Sequence, residues 1–131
     1  MLFGDVVTIY NRYQSNDSYD DIYFPTVIKN VCILTIDDIS ISKNNTNNKN
    51  AAILFINKPS LIKPYLPPKQ WIQAQDKNSY FTLKEDDFFI KGNIVVDNPN
   101  FEDIKEKYDN VYKITTVKDY DLIPHFEVGG A

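Results

Sequence analysis

The 131-residue chain holds one cysteine, one histidine, one methionine and four glycines, and each scarcity closes off a class of function. Cys32 has no second cysteine to bridge to, and Cys32 with His125 is too small a set for structural zinc, so neither disulfide nor metal is expected. The glycine-dependent phosphate loops GxGxxG and GxxxxGK[ST] do not occur, and neither do HExxH or GxSxG. No catalytic, cofactor-binding or metal-binding residue is therefore assigned. No apolar run reaches the length of a membrane span, and residues 1–7 lack the basic start of a signal peptide, so the chain reads as a soluble cytoplasmic protein with no membrane partner. Acidic groups outnumber basic ones 18 to 14, for a net charge of −4. That balance argues against a general nucleic-acid binder, whose affinity rests on basic groups at phosphates.

What is present is ordinary globular material, 43% hydrophobic and 14% aromatic, of a size that fits one domain over residues 1–131. Charge is segregated along it. Residues 1–40 carry two basic groups against six aspartates, residues 41–83 six lysines against one aspartate, and residues 84–131 six lysines against eleven acids. Such a layout suits identical copies that meet basic segment on acidic neighbour, and equally suits plain variation of surface charge.

Period-two alternation rich in β-branched and aromatic residues predicts strands at 5–12, 22–35, 51–57, 87–96, 110–118 and 122–128. Pro25 marks an edge or bulge in the second, Gly92 a bend in the fourth and Pro124 an interruption in the last. One helix is expected at about 98–108, with Asn98 as cap, Pro99 at the first helical position, and Phe101, Ile104 and Tyr108 on one face. The fold class is mainly β, a small antiparallel β-barrel or sandwich carrying that one short helix. Its expected core includes Val7, Ile9, Val27, Ile53, Phe55, Val95, Ile114 and Val117.

Two segments break the pattern. Residues 43–50 are an Asn/Lys-rich run expected to be a mobile loop, and residues 58–68 contain four prolines and so form an extended arm. In a monomer that arm should fold down on the core, and in an oligomer it could reach a neighbour. Leu61, Ile62, Tyr65 and Leu66 of the arm, with Trp71, His125 and Phe126, make up the candidate interface. Core packing is an equal alternative for Trp71. The acidic clusters Asp20-Asp21, Asp37-Asp38 and Glu85-Asp86-Asp87 read as solvated turns, because adjacent side chains on a strand diverge. His125 beside a carboxylate would be the basis of an enzyme reading, and a surface or interface role is preferred to it.

Four stretches occur in a familiar order: VTIYNRY at 7–13, YFPTVIKNV at 23–31, FTLKEDDFFIKG at 81–92 and PHFEVGGA at 124–131. Together they resemble the small head-tail connector, minor capsid or neck proteins of tailed phages and prophages of Gram-positive bacteria. In that pattern a turn and an aspartate lead into an apolar strand closed by Lys-Gly, as at Asp87–Gly92. The resemblance implies a β-barrel subunit of a homo-oligomeric ring, a hexamer or alternatively a dodecamer, in the neck or collar of a virion or of a contractile bacteriocin. It further implies portal or connector, tail tube and tail terminator proteins as neighbours, and assembly in the host bacterial cytoplasm. Passage of DNA through the ring is left open, no sequence-specific nucleic-acid binding is implied, and no cofactor or catalytic residue is carried over. The competing reading is a small nucleic-acid- or ligand-binding β-barrel module.

Overall fold

The computed structural model describes residues 3–14, 21–35 and 51–131. Six antiparallel strands follow one another in the ring order β1, β2, β3, β6, β5, β4, and β4 pairs back to β1. They are β1 (Asp5–Gln14), β2 (Asp21–Thr35), β3 (Ala52–Asn57), β4 (Phe88–Lys91), β5 (Val111–Tyr120) and β6 (His125–Gly130). Among the described residues two short α-helices accompany them, α1 (Pro68–Gln73) and α2 (Phe101–Lys107). The mainly β expectation holds, and the closing β1–β4 ladder selects the closed form over two stacked sheets. No helix among the described residues is long and apolar enough to cross a membrane.

β1 is buried on both faces, so its alternation does not divide core from solvent. Val7 and Ile9 point into the ring, while Tyr10 belongs to a second core on the outer side, with Phe88, Ile90, Ile104 and Val111. Polar atoms on that outer face are used as anchors. Thr8 Oγ1 donates to Gly92 O (2.7 Å) and accepts from Ile94 N (3.0 Å), and Tyr10 Oη donates to Ile94 O (2.6 Å) and accepts from Val96 N (3.2 Å). These bonds lay the chain after Gly92 across β1 as a cover instead of extending β4. Hence β4 stops at Lys91, Gly92 turns at φ +110°, and Val95 is exposed where a core residue was expected.

The helix over that second core starts later than the sequence suggests. Asn98 sits at φ +48°, outside helical geometry, and Asn100 is the cap, its side chain accepting from Glu102 N (2.9 Å) and Asp103 N (3.2 Å). Ile104 is the buried contact of α2.

In β3 the inward set is Ala52, Leu54 and Ile56, leaving Ile53 and Phe55 half-buried; in β2 Ile28 is inside and Val27 is not. A run that is apolar at every position carries no parity, and only the partner strands decide it. Leu54 lies opposite Ile33 on one side and Val128 on the other. Val117 is half-buried against the core. Pro25 falls where β2 is an edge among the described residues, since β3 pairs only with Val31–Thr35. A bulge at Asn30, φ +59°, shifts the register between Asp5 and Val6. Toward that same end of the sheet Gly130 leaves no room for a side chain, because a Cβ there would stand 2.7 Å from Tyr112 Cβ and 2.8 Å from the Phe89 ring.

Phe81, Thr82 and Leu83 are buried across one end of the ring, held by a polar knot. Asn11 donates to Thr82 O (2.6 Å) and to Asp87 (2.8 Å) and accepts from Thr82 N (3.1 Å), while Arg12 N donates to the other Asp87 oxygen (2.8 Å), which also receives Lys84. Glu85 and Asp86 are solvated as expected, but Asp87 is fully buried. Burial pushes its carboxyl above the ordinary range, against the pull of Lys84, Arg12 N–H and Asn11. Asp20, Asp37, Asp38 and the 43–50 loop lie outside the described residues.

Two outcomes follow for equilibrium unfolding in urea. Leu54→Ala should cost about 2–5 kcal/mol and Ile53→Ala about 1 kcal/mol, an order that reverses if the parity of β3 is wrong. Asp87→Asn puts an amide donor among three donors and should cost about 3 kcal/mol.

Candidate interaction surface

The β5–β6 hairpin turns on Asp-Leu-Ile-Pro, so β6 begins at His125 and not at Leu122 as the alternation suggested. Pro124 has no N–H to offer a ladder, and the chain reverses before it. The consequence is an apolar tip, with Leu122 97% and Ile123 73% exposed.

That tip is braced from two sides. The His125 ring stacks on Tyr120, centroids 4.6 Å apart and 9° from parallel. Its Nδ1 lies 2.6 Å from Ile123 O, which can only accept, so Nδ1 carries the proton; Nε2 is 3.4 Å from Glu127. From the arm, Lys58 N donates to Pro124 O (3.1 Å), and the Lys58 ammonium bonds Asp119 and Asp121, the latter at 3.0 Å. Asp119 first, then Asp121, raise the Lys58 pKa above its ordinary value. The same ammonium lies 4.9 Å from the centre of the Phe126 ring. A braced prong results, with Asp119, Asp121 and Lys58 at its base.

The seven candidate interface residues are scattered by the fold. Trp71 is 0% exposed, edge-on to Phe24 (5.7 Å) and Tyr13 (6.5 Å) with Lys84 and Lys77 over its ring, and Phe126 is 1% exposed inside the ring of strands. Neither offers surface to a neighbour. Tyr65 packs on Phe126 (4.7 Å) and Phe81 (5.6 Å), Leu61 lies against the same core, and Leu66 is half-buried with its N–H on Phe81 O (2.9 Å). The arm is thus folded down on its own chain, because its apolar side chains find partners there. Ile62, 87% exposed, remains outside, and His125 is half-buried at the base of the prong. Leu122 and Ile123 were missed as surface residues. A proline directly after them was the available signal for a turn.

On the far side of the fold a groove of about 530 Å³ lies beside α1, lined by Leu66, Gln70, Gln73, Ala74, Asp76 and Tyr80. Among the described residues no group of three or more His, Cys, Asp or Glu comes together to hold a metal.

Residues 3–131 match DUF6751, a family of unknown function. The chain belongs to DUF6751. No curated protein and no solved structure matches it. In this DUF6751 chain the hairpin itself engages His125, through Nδ1 at Ile123 O and the ring face on Tyr120. His125→Ala should speed amide exchange at Leu122 and Ile123 while changing global stability by no more than about 1 kcal/mol. Hydrogen–deuterium exchange reads this directly, and unchanged rates at the tip would refute the bracing role.

Proposed function

We propose that this chain is a structural, non-enzymatic ring subunit of the neck or collar of a tailed phage or of a phage tail-like particle. Six copies form the ring in this reading, with twelve as the alternative. Portal or connector and tail proteins lie above and below it, and it assembles in the host cytoplasm. The observation that carries the reading is the braced prong. Two branched apolar side chains held almost wholly in water by an ion pair, a backbone bond and a ring stack cost stability in an isolated chain, and are recovered when a partner covers them.

The order of the four sequence stretches supports the same reading. The ring interior, filled by Val7, Ile9, Leu54, Ile56, Phe89 and Val128, leaves a ligand-binding module only its outer surface to work with.

The test is the native mass of the full chain by sedimentation across a range of concentrations. A closed oligomer with a single copy number is expected. A monomer at every concentration would remove the ring and favour the binding-module reading.

A further inference from the structure

We infer that copies of this chain join prong to groove, Leu122 and Ile123 of one copy seating beside α1 of the next. This rests on the ring reading above and specifies the contact that builds it.

The first argument is topological. In the ring order β1, β2, β3, β6, β5, β4, the β1–β2 hairpin and the β6–β5 hairpin stand at opposite positions. The prong is the turn of the second. The groove belongs to the first, since α1 is fixed there by Trp71 lying against Tyr13 of β1 and Phe24 of β2. Both lie at the same end of the fold, because Asn57 and His125 lead toward the prong just as Gln14 and Asp21 lead toward α1. A contact from one side to the opposite side cannot be satisfied within a two-fold pair of like patches. It repeats head to side, and it closes as a ring where the rotation per copy divides a full turn.

Charge gives the second argument. Residues 119–131 contain three acids and no lysine or arginine, two of those acids sharing Lys58 of the arm, whereas residues 61–83 contain three lysines and one aspartate. Asp121 keeps a 95% exposed side chain although Lys58 touches it, so it can take a second cation. Lys69, on the exposed side of α1 next to Gln70, is placed to supply one from the neighbour. Asp76 is the acid in the groove, and it accepts from the Ser79 hydroxyl. The lining chemistry agrees with the shape: Leu66, Ala74 and Tyr80 offer apolar wall, while Gln70 and Gln73 offer amides for the peptide groups of a turn.

The experiment pairs two variants of the full chain, Leu122→Asp with Ile123→Asp, and Gln70→Glu with Ala74→Glu. All four positions are exposed or half-buried, so circular dichroism and the unfolding midpoint should match the wild type; should the groove pair unfold, Gln73→Glu replaces it. Each variant alone should be monomeric by sedimentation. Mixed in equal amounts they should form a dimer and nothing larger, because one intact prong and one intact groove survive between them. A two-fold contact of prong on prong gives no such rescue, and a mixture that stays monomeric overturns the proposal. If wild type assembles and either variant assembles as well, the ring stands and this contact is wrong. If wild type is itself monomeric, the ring reading fails first.

Discussion

The pairing of β4 with β1 over Val7–Tyr10 closes the sheet, and most of the structure is arranged by that closure. It gives β1 a partner on both edges and makes it a strand with two buried faces. It also creates two cores, one inside the ring and one outside β1 under α2. A closed sheet has no free edge between its first and last strands, so the exposed ladder that invites uncontrolled pairing is absent there.

Closure leaves an open end, and the segment between β3 and β4 fills it. The 3-10 turn at Lys58–Ser60, the proline-rich arm, α1 and residues 81–87 all lie there, tied to strand ends by Tyr65 on Phe126, Trp71 on Tyr13 and Phe24, and the Asn11–Asp87 knot. Prolines suit this task, since a chain that crosses a ring end need not donate to a ladder and loses less entropy on being fixed. Once the arm is spent on its own core, the most exposed apolar side chains among the described residues are Leu122 and Ile123 of the hairpin tip and Ile62.

A small fold that spends its interior on packing can act only through its surface. Here that surface carries an apolar prong on one side and a groove beside α1 on the other. Such an object is suited to being one repeat of an assembly, which is why the proposal places it in a ring and asks about contacts instead of chemistry.

The sequence by itself determined the class and most of the elements. Alternation at 5–12 and 22–35, Pro25 at an edge and Gly92 at a bend are local signals, written in backbone freedom and side-chain branching, and they survive in the structure. It equally determined that Leu61 and Tyr65 must be covered by something. Tertiary structure decided what. The parity of β3 was set by β2 and β6, since AAILFIN is apolar on both faces; Asp87 was buried by donors from β1 more than seventy residues away; and Trp71 and Phe126 went inside because aromatic partners met them there. Leu122 and Ile123 show the converse. They open a run that reads as strand, and a proline that ends the ladder, with a lysine from a distant segment holding the turn, put them in water instead.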